Sequence, residues 1–535
     1  MHKFIGILVL FSVITLACQV DSKKEGTTKA EPGDYRPAYH FTPPKNWLND
    51  PNGLVYHDGE YHLFYQHNPF GIKWGHMSWG HAVSKDLLRW EHQPVAIPEF
   101  TDVAGKTTAI FSGSAVVDEG NKNGLCPAGT KDCLVAIYTG NVTAGDKHLA
   151  QYQNLAYSAD KGRTWTQYAK NPIVDIGSKE FRDPNVFWYA PQKKWVMSTV
   201  KATEHRAAFY ESKDLKNWRL MSHFGPVGDT TKVWECPALM QVPIQNEPGK
   251  SRWILFISAG HPQKEYVGMQ YFVGDFDGTN FKLDPAHPKP IATKASNRFA
   301  GSVVDWGKDY YAAIQYNNLP AGQTGVATPG PVVVGWLNNW AYANDLPTKP
   351  FNGVYSVPRQ ISLRRTAAGL RLIQQPLAEL RNVEQPAFSV KNQAINARYE
   401  VPFTGDAFDL ELTLNPGTAK TVSLALFVSE GERTVLRYDI AQQELTFDRT
   451  QSGNVAFHPK FSSVETAKVP LKDGLLKLRL LADKCVVEIF AQDGEATMTD
   501  LVFPTKNEGK ISLSAEGGSA QLQALQINRI TPQTP

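Results

Sequence analysis

From about residue 50 to residue 365 the chain alternates short apolar runs with turn-forming residues. Runs such as 53–56 (GLVY), 61–65 (YHLFY) and 135–138 (VAIY) are rich in β-branched and aromatic residues and are bounded by Gly, Asn or Asp. Runs of this kind predict β-strands. No stretch keeps an apolar period of 3.6 residues, which an amphipathic helix would need. The pattern therefore predicts an all-β domain.

A weak internal repeat divides this region. Segment 84–90 (SKDLLRW) has counterparts at 158–165 (SADKGRTW) and 212–218 (SKDLKNW), and 276–281 (FDGTNF) is a looser copy. A recurring hairpin with roughly four strands per period is typical of a β-propeller. Four copies and the segment from 300 to about 360 predict five blades. The alternative is one extended all-β domain in which similar hairpins recur by chance.

The composition changes after about residue 363. Segment 370–380 (LRLIQQPLAEL) predicts a linker that packs on the propeller, and alternating runs such as 407–413 (AFDLELT) and 485–490 (CVVEIF) predict a β-sandwich. We expect a propeller over residues 40–365, a linker over 366–382 and a sandwich over 383–535. The sandwich contains no cluster of acidic, His or Cys residues that indicates chemistry.

The N-terminus predicts export. A basic start is followed by 14 mostly apolar residues, 4–17, a length that suits a signal peptide and falls short of a membrane span. Residues 1–17 thus resemble a bacterial lipoprotein signal with Cys18 as the lipidated residue, although Thr15 stands where Leu is usual. The alternative is cleavage nearby and simple secretion. Residues 18–39 are polar and predict a flexible tether outside the fold. We expect a membrane-anchored lipoprotein at the cell surface or in the periplasm.

Composition narrows the function class. The chain has 535 residues, more than one core usually holds, so two domains are expected. The net charge is only +3 and no long basic run occurs, which argues against nucleic acid as a partner. The 13 Trp residues are typical of proteins that stack on sugars, and also of aromatic cores. The oligomeric state is left open by the sequence.

The five cysteines include one pair at short spacing. Cys126 and Cys133 flank a turn-like stretch between two strand-like runs, and a loop disulfide is common in exported proteins. Cys236 and Cys485 are far apart in sequence and are interpreted as isolated buried thiols. No cysteines have the spacing of metal ligands, and we expect no metal and no cofactor.

Three carboxylates occupy turn-rich motifs. Asp50 lies in 47–53 (WLNDPNG), where Pro and Gly force a sharp bend, although an Asx-Pro turn that caps its own backbone is the alternative. Asp183 lies in 182–184 (RDP) and Glu235 in 234–237 (WECP). Each motif precedes a copy of the repeat. The innermost strands of a propeller line one axis, so these residues are expected to share one pocket.

Paired carboxylates are what glycosidic hydrolysis needs, one as acid and one as nucleophile or base. Trp234 and Cys236 are expected to give Glu235 the apolar surroundings that keep an acid protonated. Amide donors are expected to keep Asp50 ionised. Asp183 is expected to hold sugar hydroxyls while Arg182 holds its charge. Calcium binding is the alternative for three acidic residues, but no Asp-rich ligand loop accompanies them.

The motifs together carry a family resemblance. They occur in a fixed order: 47–53 (WLNDPNG), 65–69 (YQHNP), 74–76 and 79–81 (WGH twice), 111–114 (FSGS), 182–184 (RDP) and 234–237 (WECP). In this order they resemble the fructan hydrolases and invertases of glycoside hydrolase family 32. Segments 271–277 and 335–340 extend the resemblance through the first domain, and 487–490 with 503–504 resemble the family's sandwich. Leu337 and Trp306 stand where many relatives have Met and Tyr.

The resemblance implies a five-bladed β-propeller followed by a β-sandwich, and a retaining, metal-independent double displacement at fructose C2. It implies Asp50 as the nucleophile, Glu235 as the acid and base, and Asp183 as the carboxylate that binds the C3 and C4 hydroxyls. It also implies a set of residues that line the site of the terminal fructose: Asn49, Gln66, Trp74, Phe111, Ser112, Arg182 and Trp336.

The expected activity is that of a fructan β-fructosidase, which releases terminal fructose from levan, inulin and sucrose. Segments 271–277 and 336–340 resemble microbial exo-acting levanases and inulinases more than sucrose-only invertases. The alternatives are an endo-levanase of the same family and a fructan-binding surface lipoprotein that has lost activity. Retention implies that the carboxyls of Asp50 and Glu235 lie about 5–5.5 Å apart, across the axial pocket.

Overall fold

The computed structural model describes residues 34–261, 268–287, 302–320, 330–367, 369–506 and 508–530. Within these ranges the chain is almost wholly antiparallel β-sheet, interrupted by 3-10 turns at Ala190–Gln192, Ala202–Glu204, Ala343–Asp345 and Ala378–Val383. The expected signal peptide, Cys18 and most of the expected tether lie outside the described residues. No helix in the described ranges has the length and apolar character needed to cross a bilayer.

Five consecutive sheets form the blades of the propeller. The strands of blades one and two are Asn46–His57, Glu60–Asn68, Ser78–Ser84 and Trp90–Ile97, and Phe100–Thr101, Thr107–Glu119, Asp132–Ala144, Lys147–Ser158 and Thr166–Gln167. Those of blade three are Phe181–Tyr189, Lys194–Lys201, Arg206–Ser212 and Arg219–Phe224. Those of blades four and five are Val233–Pro243, Ser251–His261, Gly268–Phe276, Phe281–Leu283 and Ser302–Val303, and Tyr311–Gln315, Val332–Trp336, Arg359–Thr366 and Gly369–Pro376.

The sequence repeat marks the same turn in blades one, two and three. The turn joins the third long strand of each blade to the edge strand that follows it, and it begins at Ser84, Ser158 and Ser212. In each turn the Ser hydroxyl donates to the Asp two residues later, at 2.8–3.1 Å. That Asp accepts backbone N–H groups further along, so the side chains replace the hydrogen bonds that the strands lose at the turn. Local turn chemistry therefore produces the repeat.

The ring of blades closes near its own start. The short strand Phe351–Asn352, which belongs to the fifth-blade segment, pairs in parallel with Asn46 and Trp47 of blade one. The backbone N–H of Asn46 also donates to the carbonyl of Pro350 at 2.7 Å. Inner strands of neighbouring blades contact one another around the axis. The closure fixes residue 50 beside residues of blade five.

Two six-stranded sheets form the C-terminal sandwich. One contains Glu384–Ile395, Ala407–Asn415, Leu476–Asp483, Val486–Ala491, Ala496–Leu501 and Ala520–Ile530. The other contains Arg398–Thr404, Thr421–Ser429, Glu432–Asp439, Glu444–Gln451, Val464–Lys468 and Lys510–Glu516. The inward side chains of both sheets form a separate apolar core.

Buried ion pairs join the sandwich to blade five. Arg359 pairs with Glu488 and, at 2.9 Å, with Asp305. His40 lies between Asp483 and Glu488, at 2.9 Å from each, and all of these side chains are buried. Burial alone lowers the pKa of His40, but its hydrogen bonds to the two carboxylates outweigh burial and raise that pKa to about 9. The imidazole is therefore held as a cation between two anions.

The expected tether, residues 18–39, needs correction at its end. Tyr35 and Tyr39 are buried, and Tyr39 donates to the carbonyl of Ala482 at 3.1 Å. Asp483 accepts the backbone N–H groups of Ala38, Tyr39 and His40. The polar composition of the segment did not indicate that Tyr35 and Tyr39 are buried, or that the backbone of residues 38–40 binds the carboxylate of Asp483. Residues 34–39 therefore belong to the folded body.

The expected linker, residues 366–382, also differs from the structure. Gly369–Pro376 is a strand that pairs with Arg359–Thr366 and completes blade five. Its alternate residues Leu370 and Leu372 are buried, which is the period-two pattern of a strand. Only the short turn Ala378–Val383 remains as a connection between blade five and the sandwich.

Cys126 and Cys133 form a disulfide, with their Cα atoms 5.8 Å apart, beside the strand Asp132–Ala144. Cys236 and Cys485 are free and buried.

Candidate active site

A β-bulge interrupts the inner strand of every blade near its start. In each bulge, three residues of the inner strand lie opposite two residues of the neighbouring strand. The first residues of the five bulges are Leu48, Ile110, Arg182, Glu235 and Tyr311. A bulge turns side chains out of the regular alternation and is frequent beside active sites. Five bulges at one level therefore gather their side chains around the axis.

The three carboxylates do not occupy the same position of the bulge. Glu235 is its first residue in blade four, Asp183 its second in blade three, and Asp50 its third in blade one. Their motifs nevertheless occupy the same strand of each blade. The one-residue steps between them arise because each motif meets the bulge in a different register, and they let three carboxylates converge from three directions.

A cavity of about 460 Å³ opens at this level. Every predicted site residue except Trp336 lines it: Asn49, Asp50, Gln66, Trp74, Phe111, Ser112, Arg182, Asp183 and Glu235. Trp336 is completely buried, with its ring 4.8 Å from that of Trp340, and Trp340 lines the cavity instead. The expectation that Trp336 lines the site is therefore corrected, because the tryptophan of this segment that reaches the cavity is Trp340.

Asp50 is buried and accepts hydrogen bonds on both oxygens. Ser112 donates to Oδ2 at 2.6 Å, and the amide of Asn49 donates to Oδ1 at 3.0 Å. The thiol of Cys236 lies 3.5 Å from Oδ2. Burial raises the pKa of Asp50 to about 6, and the Ser112 and Asn49 bonds limit that rise. Asp50 is still mostly ionised at pH 7, but burial makes it less acidic than we expected.

Asp183 is fixed by backbone rather than by an ion pair. Its Oδ2 accepts the N–H of Cys236 at 2.9 Å, and its own N–H donates to Thr139 at 2.9 Å. Burial raises the pKa of Asp183, the charge of Arg182 opposes the rise, and Glu235 and Asp50 add to it. Asp183 and Cys236 both have left-handed backbones, φ 62° and 48°, a conformation that costs on the order of 1 kcal/mol or more for such residues.

Glu235 is held between two donors. The hydroxyl of Tyr311 donates to Oε2 at 2.6 Å, and the guanidinium of Arg182 lies 3.3 Å from Oε1. The side chains of Trp234 and Cys236 point elsewhere: Trp234 packs between blades three and four, and Cys236 faces the two Asp residues. Trp234 and Cys236 therefore do not provide the apolar surroundings that we expected them to give Glu235.

Arg182 joins several polar groups of the cavity. Besides Glu235, it pairs with Glu180 at 2.6 Å and contacts Gln151 at 3.3 Å. We expected it to hold the charge of Asp183, but its hydrogen bonds go to these other partners, and only its field reaches Asp183. Burial alone lowers the pKa of Arg182, but the surrounding carboxylates outweigh burial and raise that pKa above its ordinary value. Its guanidinium therefore lies between Glu180 and Glu235.

The cavity is lined by aromatic and by polar side chains. Trp74, Phe111 and Trp340 provide rings, with Trp74 and Phe111 6.1 Å apart. Polar lining residues come from the long hairpin of blade two: Asn141, Thr143, Asp146, His148 and Gln151. A ligand with a CH face and a rim of hydroxyls matches this division, because rings bind apolar faces and polar groups fix orientation.

Sequence reasoning missed Tyr311, Trp340 and Glu180. Blade five lacks the Ser–Asp turn that marks blades one to three, so nothing in its sequence aligned Tyr311 with Glu235. Alignment by the bulge does so, since both are its first residue. Across the described ranges, no group of three or more His, Cys, Asp or Glu side chains is arranged to hold a metal ion.

Comparison with known proteins gives matches over the whole folded body. The model described as the glycosyl hydrolases family 32 N-terminal domain matches residues 40–376, and the family 32 C-terminal model matches residues 376–529. The chain is 40% identical to a levanase from Bacillus subtilis over 98% of its own length and 74% of the relative's. It is 38% identical to an extracellular exo-inulinase from Aspergillus awamori, over 91% and 93% of the two chains.

Solved structures agree with these matches. The crystal structure of the exo-inulinase from Aspergillus awamori has a TM-score of 0.85 and 36% identity, over 94% of this chain and 99% of that one. A fructofuranosidase from Schwanniomyces occidentalis complexed with fructosylnystose has a TM-score of 0.80 and 30% identity, with the same coverage.

Proposed function

Because the chain belongs to glycoside hydrolase family 32, we propose that it hydrolyses the β-fructosidic bonds of fructans and sucrose and releases terminal fructose. The observation that carries the proposal is the cavity in which Asp50, Asp183 and Glu235 meet from three blades. Relatives described as levanase and exo-inulinase support levan and inulin as substrates. The relative solved with fructosylnystose supports fructo-oligosaccharides.

We assign the first step to Asp50 and Glu235. The ionised Oδ of Asp50 attacks C2 of the terminal fructose, and the C2–O bond to the leaving group breaks. Glu235 gives its proton to the leaving oxygen, so that no alkoxide is released. A fructosyl ester on Asp50 results. Ser112 and Asn49 orient the attacking carboxylate, and Arg182 with Tyr311 fixes the acid above the bond that breaks.

The second step reverses the proton transfer. The ionised Glu235 takes a proton from water, the water oxygen attacks C2, and the ester bond to Asp50 breaks. Asp183, fixed on the N–H of Cys236, accepts hydrogen bonds from ring hydroxyls as positive charge develops at C2. Two inversions give net retention, for which the carboxyls of Asp50 and Glu235 are expected about 5–5.5 Å apart.

Release of single terminal units is favoured over endo cleavage. The cavity holds about 460 Å³ and is lined by residues of several blades. A pocket accepts a chain end, whereas internal cleavage needs room for the chain on both sides of the bond. Relatives described as extracellular support export, and we propose that lipidation of Cys18 anchors the exported protein to a membrane.

Two measurements test the proposal. With levan, inulin and sucrose as substrates, the product at early time is expected to be fructose alone, first formed as the β-anomer by NMR. First-formed α-fructose would contradict retention, and a ladder of oligosaccharides would favour the endo alternative. Glu235→Gln is expected to slow both steps and to remove the alkaline limb of the rate–pH profile. Binding of fructan without any turnover by the unmodified protein would identify the inactive binding protein instead.

A further inference from the structure

Two aromatic side chains on segments next to cavity-lining residues are exposed to solvent. Phe70 is 74% exposed and Phe100 is 43% exposed. Phe70 lies in the loop between the second and third strands of blade one, which also carries Trp74 of the cavity. Phe100 begins the short edge strand of blade two, and this strand pairs with the inner strand that carries Phe111. Both residues therefore extend from segments that build the catalytic cavity.

The exposure of Phe70 occurs on a well-anchored loop. Asn68 accepts the N–H of Phe70 at 2.9 Å and donates to the carbonyl of Lys73 at 2.8 Å. The N–H of Trp74 donates to Asn344 at 2.9 Å, and Asn352 donates to the carbonyl of Ile72 at 3.0 Å. A ring on an anchored backbone loses less conformational entropy on binding than a ring on a mobile loop does.

His76 contacts Phe70 and the carboxylate of the residue before Phe100. Its imidazole meets the ring of Phe70 edge-on, with centroids 5.3 Å apart, and its Nδ1 lies 2.5 Å from Oε1 of Glu99. Glu99 directly precedes Phe100, and its backbone N–H donates to Ser78 at 3.0 Å. Thr101, the next residue along the strand, bonds through its hydroxyl to Thr107. We give the name aromatic ledge to the four residues Phe70, His76, Glu99 and Phe100.

We propose that the aromatic ledge binds fructosyl units of a polymeric substrate beyond the units held in the catalytic cavity. This inference rests on the proposed function. Rings set among a carboxylate, an imidazole and hydroxyls match the alternating CH faces and hydroxyl edges of a polysaccharide. The loop that carries Phe70 also carries Trp74 of the cavity, which is why we assign the ledge to the part of the substrate chain that extends beyond the cavity.

The test compares a polymer with a short substrate. The double variant Phe70→Ala/Phe100→Ala is measured on levan, inulin and sucrose beside the parent. We expect kcat/KM on at least one polymer to fall by roughly five- to tenfold, mainly through KM, with kcat/KM on sucrose unchanged. Trp188→Ala is the matched control. Trp188 is 47% exposed and lies five residues beyond Asp183, about 16 Å along the inner strand of blade three.

Three outcomes would contradict the proposal that the aromatic ledge binds polymeric substrate. They are unchanged kcat/KM on both polymers, an equal fall on sucrose and polymer, and a fall of the same size in Trp188→Ala. A parent that associates with itself, while the double variant is monomeric by sedimentation, would assign the ledge to a second copy of the chain instead.

Affinity electrophoresis separates this proposal from the proposed function. Asp50→Asn is run through gels that contain levan or inulin, with and without the two ledge substitutions. Retardation that depends on Phe70 and Phe100 would support the ledge even if the parent proved inactive. If Asp50→Asn migrates equally with and without the two ledge substitutions, in the levan gel and in the inulin gel, the ledge proposal is rejected even if the parent is an active hydrolase.

Discussion

The hydroxyl of Tyr311 donates a 2.6 Å hydrogen bond to Oε2 of Glu235. The two residues are 76 positions apart and belong to different blades, yet each is the first residue of the bulge on its inner strand. Burial and the charge of Glu235 raise the pKa of Tyr311 well above its ordinary value, so Tyr311 remains a donor throughout the working pH range. Blade five therefore supplies one of the two donors that hold the proposed acid, and Arg182 of blade three supplies the other.

Tyr311→Phe is expected to reduce kcat/KM about tenfold, which is the typical value of one hydrogen bond to a charged group. The value of kcat/KM is measured on sucrose across the pH range, beside the parent. Tyr316→Phe is the control, because that buried hydroxyl has no hydrogen-bond partner in the part of the chain that is described. A Tyr311→Phe profile identical to the parent's would remove Tyr311 from this role.

The acid limb of the profile is expected to reflect Asp50. Burial raises the pKa of Asp50 to about 6, and the nucleophile must be ionised, so kcat/KM should fall as the pH drops through about 6. Ser112 stabilises the ionised carboxylate. Ser112→Ala should therefore move this limb to higher pH, as measured by kcat/KM on sucrose. A limb that stays in place in Ser112→Ala would contradict the assignment.

Asp50→Asn is expected to lower activity by about 10⁴-fold or more and to stabilise the fold. The pKa of Asp50 is about 6 when folded against 3.8 when unfolded, so ionisation opposes folding. This opposition is absent below about pH 3.8, grows as the pH rises, and is complete above about pH 6. It corresponds to roughly 3 kcal/mol.

The melting temperature of Asp50→Asn should therefore exceed the parent's at pH 7, and the gain should shrink toward pH 4. Asp275→Asn, which removes a carboxylate that is 69% exposed, should change neither activity nor melting temperature. Equal melting temperatures of Asp50→Asn and parent at pH 7 would show that burial of Asp50 carries no such cost.

His40 predicts a loss of stability in alkali. Its pKa is about 9 in the fold against 6.5 when unfolded, so the contribution of its charge is complete below about pH 6.5 and is lost as the pH rises through about 9. The full contribution is roughly 3 kcal/mol. His40→Gln should melt lower than the parent at pH 6.5 and should lose the parent's decline between pH 6.5 and 9. The exposed His223→Gln should keep that decline.

Cys18→Ala is expected to release the protein from membranes and leave kcat/KM on sucrose unchanged. The reason is that the 14-residue apolar segment ends directly before this cysteine. Cell fractionation and intact mass measure the outcome. Recovery of the unmodified protein wholly in the soluble fraction, without acyl mass, would exclude the anchor.

The sequence by itself determined whatever depends on neighbouring residues. Period-two runs predicted strands, Ser–Asp turns marked three blades, and the motifs at 50, 183 and 235 identified the carboxylates. The short spacing of Cys126 and Cys133 predicted a bridge, and the two cysteines are joined in the structure. Local backbone preference and local hydrogen bonding act within a few residues, so they leave patterns that a linear sequence preserves.

Only the tertiary structure decided what depends on closing the ring of blades. In the structure Trp340 rather than Trp336 lines the cavity. Arg182 pairs with Glu180 and Glu235, and Tyr311 donates a hydrogen bond to Glu235. The tertiary structure also docked residues 34–39 on Asp483. Each of these contacts depends on which elements meet in space and on the one-residue register of a bulge. No spacing along the chain encodes either, because a shift of a single residue turns a side chain to the other face of its sheet.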